Sequence, residues 1–380
     1  MILKLHQQYG PVVRVGSTHV SIHHPNAHES VKSNHKSEEN PKDPLHNANN
    51  RLNIIGFTRV DHQRYRRVLA HGFSAQTMLD QQPIIRGYVD KLIQRLHETP
   101  KTNTGPIDLE KWFNFTTFDI IGDLTFGEPF GCLEDGTYHP WINIMFKSVK
   151  NMFFLTATSR LLWLAPLYRK TILKNVASKL AENQALTREK AMTFPGLTLN
   201  AFALITAGFK TTATAFTEEV LSTFSSESQI DLLSVQKLLY MTAILSESMR
   251  LYPPAPGSQP CMAKQGGTEI LGYFIPEGKT MDTWQWALYH NPEHFSRVEE
   301  FIPERWLGDP RFDNDAKKVV QPFSVGYRNC IRKNLANAEM RLVLSRLIWN
   351  FEIRAAEGIY TFYEESEVHP LWQKGPMKVS

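Results

Sequence analysis

The chain has 380 residues, of which 42% are hydrophobic and 21% charged. This composition excludes a disordered segment, a collagen-like fibre and a small disulfide scaffold. Its formal net charge of +4 is too small to indicate nucleic acid as a partner. The three cysteines, Cys132, Cys261 and Cys330, lie far apart without a Cys-x-x-Cys pair, which favours a reducing compartment.

The amino-terminal half predicts a hairpin, a loop and then helices. Alternating apolar and polar residues around a Gly-Ser break predict a β-hairpin over 11–24, and the polar residues 32–50 predict an exposed loop. Helical periodicity starts at Asp61 and continues to about Leu251. It predicts helices over 79–97, 107–125, 140–155, 176–192, 196–222 and 233–250.

The carboxyl-terminal part predicts mixed structure. Pro253 and Pro254 end the last of these helices, and residues 257–285 contain short β-type runs such as EILGYFIP. Residues 331–350 predict a final helix.

No repeat or linker divides the chain, so we predict one domain over 1–380 of the mainly α (α+β) class. A minor sheet and a loop occupy 1–60, a helical part occupies 61–250, and the remaining sheet, a cysteine loop and the final helix occupy 251–380.

No signal peptide or membrane anchor is predicted at the amino terminus, which begins MILKLH and soon becomes polar. The most apolar stretch, 152–168, is interrupted by Arg160 and Pro166 and is too short to cross a bilayer. It is therefore either protein core or a segment that rests on a membrane surface.

The most specific motif is the run FSVGYRNC at 323–330, which we call the cysteine loop. An isolated cysteine is more often an inert buried residue than a ligand. Here, a glycine-containing loop leads into a predicted helix, whose N–H groups and dipole stabilise a thiolate. Because such a thiolate is a strong axial ligand for haem iron, Cys330 is the candidate metal ligand.

A second motif combines Glu247-Ser-Met-Arg250 with Pro303-Glu-Arg305. Residues three apart lie on one face of a helix, and an isolated pair of this kind is usually a solvated surface pair. This helix is apolar and ends at a proline-rich turn. We therefore predict that Arg305 joins Glu247 and Arg250 in a buried network beneath the cysteine loop.

In this order and spacing, the motifs resemble those of the cytochrome P-450 family, whose members are haem-thiolate monooxygenases. The resemblance covers most of the chain and includes DHQRYRR at 61–67, FTTFDIIGDLTFG at 115–127 and NAFALITAGFKTTAT at 200–214. The last two stretches are similar to the fungal secondary-metabolism branch, which includes trichothecene hydroxylases.

The resemblance implies haem b, iron protoporphyrin IX, as the cofactor, with Cys330 as its axial ligand. It implies that His62, Arg66 and Arg328 face the haem propionates, and that Ala207 and Gly208 lie over the distal face. The implied cofactor-binding residues are His62, Arg66, Ala207, Gly208, Phe323, Arg328 and Cys330.

The implied catalytic residues are Cys330 and Thr211, which matches the threonine that passes protons to oxygen in this family. Glu247, Arg250 and Arg305 are implied to be structural. The implied reaction inserts one oxygen atom of O2 into a small apolar metabolite by hydroxylation or epoxidation. A flavoprotein NADPH reductase is the implied electron donor. The implied location is the cytoplasmic face of the endoplasmic reticulum membrane; without an anchor, the cytosol is the alternative.

Three positions depart from the family pattern. Lys210 stands where an acid usually precedes the distal threonine, and a protonated lysine offers no acceptor for a proton relay. Arg332 replaces a glycine close to the porphyrin, so it either affects haem entry or extends outward. Cys261 occupies the position of an arginine that binds a haem propionate, and a neutral thiol cannot replace that charge.

The chain is also shorter than the family pattern between Lys190 and Leu197 and between Phe216 and Ser225. A truncated gene product, faulty splicing of the gene sequence or a decaying gene would leave such gaps. Two alternatives to a monooxygenase therefore stand: a haem protein that has lost oxygen activation, and an inactive remnant. A metal site built on histidines is a weaker alternative. His19 and His23, like His24 and His28, are four residues apart, a spacing that joins two ligands only on a helix. The first pair lies in a strand-like run, and Pro25 interrupts the second.

Overall fold

The computed structural model describes residues 1–32, 39–44, 54, 56–102, 105–142, 223–351, 367–368, 372–373 and 378–379. Helices predominate among them and the sheets are small, which confirms the predicted mainly α class. The α-helices there are α1 (Ile2–Tyr9), α2 (Ala27–Lys32), α3 (Arg59–Ala70), α4 (Ala75–Asp80), α5 (Gln82–Thr102), α6 (Leu109–Phe126), α7 (Cys132–Asp135), α8 (Leu239–Leu251), α9 (Gln285–Tyr289) and α10 (Lys333–Asn350). The strands are β1 (Val12–Gly16), β2 (His19–Ile22), β3 (Ile107–Asp108), β4 (Cys261–Met262), β5 (Thr268–Ile270), β6 (Tyr273–Ile275), β7 (Thr280–Asp282), β8 (Glu367–Val368), β9 (Trp372–Gln373) and β10 (Lys378–Val379).

The largest sheet has the strand order β1-β2-β7-β4. Strands β1 and β2 pair antiparallel with Gly16 opposite His19, so the predicted hairpin is confirmed. Strand β7 lies parallel to β2 and antiparallel to β4. This arrangement joins the amino-terminal hairpin to the segment that follows α8, although many residues separate them in the sequence. Strands β5 and β6 pair antiparallel and confirm the strand prediction for EILGYFIP.

Part of the predicted exposed loop 32–50 is buried, so that expectation is wrong for Asn40 and Asp43, whereas Pro41 and Pro44 are exposed. Asn40 and Asp43 are each 3% exposed. Asn40 donates to the Val31 carbonyl oxygen at 2.9 Å and accepts from the Thr268 hydroxyl at 2.8 Å. These hydrogen bonds replace water, which allows polar residues to be buried here.

The main core lies between α5, α6, α8 and α10. Helix α6 is buried on nearly all sides, and Phe113, Phe118 and Ile121 are at most 1% exposed. It ends at Gly127, whose φ of 77° is left-handed, a conformation that glycine adopts at little cost. The predicted helix over 107–125 is thus confirmed within two residues at each end.

The other described helices differ from the predictions at one or both ends. Helix α5 spans Gln82–Thr102 rather than the predicted 79–97. Helix α8 begins at Leu239 rather than at 233, because Ser234–Lys237 form a 3-10 turn. The Asp231 carboxylate accepts from the N–H of Ser234 at 2.8 Å and holds that turn. The predicted helices over 176–192 and 196–222, and most of 140–155, lie outside the described residues. Within the described part of the chain, no helix has the length and hydrophobicity needed to cross a bilayer.

Candidate functional site

The cysteine loop closes on itself just before α10. The N–H of Cys330 donates to the Phe323 carbonyl oxygen at 2.7 Å. Ser324 and Gly326 have φ values of 62° and 74°, and this left-handed region is costly for a serine. The chain then makes a short 3-10 turn over Gly326–Arg328, and α10 begins at Lys333. The loop is therefore a fixed structure that presents Cys330.

The thiol of Cys330 lies in a site with opposing influences. Burial raises its pKa, whereas a hydrogen bond from the Arg332 backbone and the charges of Arg332, Arg66 and Lys333 lower it. Burial is the largest effect, so the thiol alone stays protonated near neutral pH. A bound metal ion deprotonates a coordinating thiol, and the surrounding donors and cations would then stabilise the thiolate.

Arg66 extends from α3 to the cysteine loop. Its Nη1 donates to the Asn329 carbonyl oxygen at 2.6 Å, and its Nη2 donates to the Asn329 side-chain oxygen. The residue before Cys330 is therefore attached to α3. The motif DHQRYRR gave no indication of this contact, although an asparagine beside the cysteine is a natural acceptor for an arginine.

Arg328 and His62 lie next to Arg66 in an environment that fits an anion. Arg328 donates from Nε to Glu39, while its buried Nη1 has no hydrogen-bond partner among the described residues. Burial, with smaller contributions from the charges of Arg328 and Arg66, lowers the pKa of His62 to about 4. The unsatisfied donor of Arg328 fits a carboxylate such as a haem propionate.

Glu247 is the centre of a buried charge network with Arg250 and Arg305, and all three side chains are 0% exposed. Arg250 donates to both carboxylate oxygens of Glu247 at 2.9 Å, and Arg305 donates from Nε at 3.4 Å. The reading of Glu247 and Arg250 as a solvated surface pair is therefore wrong.

The surrounding backbone and side chains satisfy the rest of this network. Arg250 also donates to the carbonyl oxygens of Tyr289, Val298 and Glu300. Glu247 accepts from the indole N–H of Trp306 at 2.8 Å and from the N–H of Ile302 at 3.1 Å. A buried ion pair is tolerated only when its remaining donors and acceptors are paired in this way. Trp306 directly follows the Pro-Glu-Arg motif, which was its only sequence signal.

Two of the positions that depart from the family pattern are buried. Arg332 is 2% exposed, so the alternative that it extends outward is wrong; its Nη2 lies 4.0 Å from Oε1 of Glu339. Cys261 is 3% exposed in β4, opposite Met281 of β7. Four further residues of the predicted distal site lie outside the described residues: Ala207, Gly208, Lys210 and Thr211.

Comparison with known proteins agrees with this geometry. The cytochrome P-450 family model matches residues 1–188 and 210–369. A trichothecene C-15 hydroxylase from Fusarium sporotrichioides is 42% identical over 99% of this chain and 86% of its own length. A cytochrome P-450 monooxygenase from Aspergillus oryzae is 36% identical over 99% and 86%. An averantin hydroxylase from Dothistroma septosporum is 37% identical over 99% and 80%.

These alignments also bear on the missing segments. The alignment with the trichothecene hydroxylase extends over 424 positions, more than the 380 residues of this chain. The relative therefore has residues without a counterpart here, and the family match is interrupted between 188 and 210. The interruption includes the stretch 190–197 where the sequence predicted a shortened segment.

The cysteine loop, the buried charge network and the relatives' hydroxylase and monooxygenase names all indicate the same chemistry, and they do not favour the two non-monooxygenase alternatives. With most of its length matched by the family model, this chain belongs to the cytochrome P-450 family of haem-thiolate monooxygenases.

Proposed function

We propose that this protein hydroxylates a small apolar metabolite of fungal secondary metabolism, with haem b bound through Cys330. The observation that carries the proposal is the closed cysteine loop, which Arg66 attaches to α3 beside the unsatisfied donor of Arg328. O2 is the co-substrate, and a flavoprotein NADPH reductase delivers the electrons.

Haem bound at this site would supply the activation of O2, and the chain would supply the rest. Cys330 provides the thiolate, and the hydrogen bonds of its loop keep that thiolate in place. His62 and Arg328 receive the propionates, and Arg66 keeps the loop next to α3. The buried charge network stabilises the scaffold around Arg250 and does not touch the reacting atoms.

Carbon monoxide binding to the reduced protein tests the thiolate directly. The wild-type protein should show a strongly red-shifted Soret band, and Cys330→Ser should abolish it. Cys132→Ser makes the same chemical change at a buried cysteine of the main core, and it should keep the band. A Cys330→Ser protein with the wild-type band would disprove the ligand assignment.

Thr211 is proposed to hold and pass the proton that oxygen activation requires, although Lys210 replaces the usual acid before it. Thr211→Ala should divert consumed O2 from product to peroxide, whereas Lys210→Glu should raise the ratio of product to NADPH consumed. If the ratio of product to NADPH consumed is unchanged in both variants, neither residue takes part in proton delivery.

The substrate class follows from the relative that hydroxylates a trichothecene at C-15. The proposed first substrate is therefore a trichothecene that lacks the C-15 hydroxyl. Mass spectrometry should show the gain of one oxygen atom when reductase and NADPH are present. If the protein binds haem with thiolate ligation but neither binds nor oxidises this compound, the proposed substrate is wrong. The proposed haem site would not be affected by that result.

The proposed location is the cytoplasmic face of the endoplasmic reticulum membrane, which the family resemblance supports. Fractionation of cells that express the full chain should place it with the microsomal membranes, and recovery in the supernatant would contradict this location.

A further inference from the structure

Two lysines lie beside Cys261, the position where the family has a propionate-binding arginine. Lys42 forms a backbone bridge with Cys261, and its neighbours continue the pairing. The Met262 N–H donates to the Pro41 carbonyl oxygen at 2.7 Å, and the Asp43 N–H donates to the Pro260 carbonyl oxygen at 3.3 Å. The segment that carries Lys42 is therefore held along β4.

Lys32, the last residue of α2, contacts the cysteine loop itself. Its Nζ donates to the Ser324 hydroxyl at 2.9 Å and to Gln259 Oε1 at 3.5 Å. Burial, with a smaller contribution from the charge of Lys42, lowers the pKa of Lys32 to about 8. Ser324 is the non-glycine residue of the loop with a left-handed backbone, so Lys32 contacts the loop at this turn.

Lys32, Lys42, Arg66 and Arg328, here named the cationic cluster, have too few acids to balance them. Burial lowers the pKa of Lys42, and the charge of nearby Arg328 contributes to the lowering. Glu39 is ion-paired with Arg328, and no carboxylate in the described ranges lies within ion-pair distance of either lysine. Like charges held close together repel each other, and an anion bound between them reduces this repulsion.

We propose that Lys32 and Lys42 supply the positive charge toward the haem propionates that Cys261 cannot supply. The inference rests on the proposed function, because the propionates belong to the haem held by Cys330. Two carboxylates would meet the unsatisfied Nη1 of Arg328 and both lysines. The positive charge would thus come from Lys32 of α2 and from Lys42 beside β4, rather than from an arginine in β4.

The test compares haem retention in Lys32→Gln, Lys42→Gln and the double variant, measured as the rate of haem transfer to apomyoglobin. Glutamine can still donate to Ser324 but carries no charge. Each single variant should release haem about tenfold faster, the size expected when one charge-assisted hydrogen bond is lost. The reduction potential of the iron should also fall. Nearby cations disfavour the oxidised, more positive iron, and each variant removes one of these cations.

Two matched variants complete the design. Lys4→Gln removes an exposed lysine of α1 and should leave the release rate and the potential unchanged. Cys261→Arg, introduced into the double variant, should restore slow haem release because it returns a cation to the same site. If the double variant does not fold, the two single variants decide the question.

The outcomes separate this inference from the proposed function. A wild-type protein without thiolate-ligated haem would disprove both. Wild-type haem together with unchanged release from Lys32→Gln and Lys42→Gln would disprove the inference alone. Lys32→Met removes both the charge and the hydrogen bond to Ser324. If Lys32→Met releases haem quickly but Lys32→Gln releases it slowly, the hydrogen bond of Lys32 matters and its charge does not. That result would also overturn the proposal that Lys32 supplies charge to the propionates.

Discussion

Arg66 on α3 and Asn329 in the cysteine loop are joined by a hydrogen bond of 2.6 Å from Nη1 to the backbone carbonyl oxygen. Because Asn329 directly precedes Cys330, the orientation of the thiol depends on a helix that lies far away in the sequence. A residue implied to bind a propionate is thus also attached to the loop that carries the proposed iron ligand.

Replacement of Arg66 by Met should therefore weaken the cysteine loop. Loss of a charged donor to a half-buried carbonyl costs about 1–3 kcal/mol. The reduced, carbon monoxide-bound protein should convert faster to the form without the red-shifted band. Arg64→Met is the control, because Arg64 is exposed and forms its ion pair with Asp61, away from the cysteine loop. Equal conversion rates for both variants would show that Arg66 does not hold the loop.

Glu247→Gln should be strongly destabilising, because it leaves Arg250 and Arg305 buried without their shared carboxylate. Breaking a buried ion pair costs about 3–5 kcal/mol, measurable as the free energy of unfolding in urea. Glu300→Gln is the matched control. It removes the acid of another i, i+3 pair, that of Arg297 and Glu300, which is more than half exposed and therefore contributes little to stability. Similar losses in the two variants would contradict the dominant role of the buried network.

A stack of three histidines should make the protein sensitive to mild acid. The rings of His6, His23 and His294 stack at centroid distances of 4.8 and 5.0 Å. Burial, with smaller contributions from the charges of His294, His6 and His24, lowers the pKa of His23 to about 3. Below pH 6.5 the unfolded chain therefore binds a proton at His23 that the folded protein does not bind.

The contribution of His23 to the free energy of unfolding is fully present above pH 6.5 and is lost progressively as the pH falls toward 3. The expected slope is about 1.4 kcal/mol per pH unit for each such histidine. Urea unfolding at pH 7 and pH 5 should show a smaller difference for His23→Gln than for the wild-type protein. His139→Gln, at an exposed histidine, should keep the wild-type difference. If His23→Gln keeps it too, His23 is not the group responsible.

The sequence alone determined the chemistry of the site and the class of the fold. Motifs such as the cysteine loop and Glu247-Ser-Met-Arg250 are local in the chain, and their residue types specify what they can bind. Hydrophobic periodicity placed α6 and α10 within about two residues, since long periodic helices are the strongest signal in a sequence.

Only the tertiary structure decided which distant residues meet. The strand order β1-β2-β7-β4 and the bridge between Lys42 and Cys261 bring amino-terminal lysines to β4. No periodicity predicts such a contact, because it depends on packing between segments more than two hundred residues apart. For the same reason, Asn40 and Asp43 are buried within a segment whose polar composition indicates exposure. Their hydrogen-bond partners come from other elements of the fold.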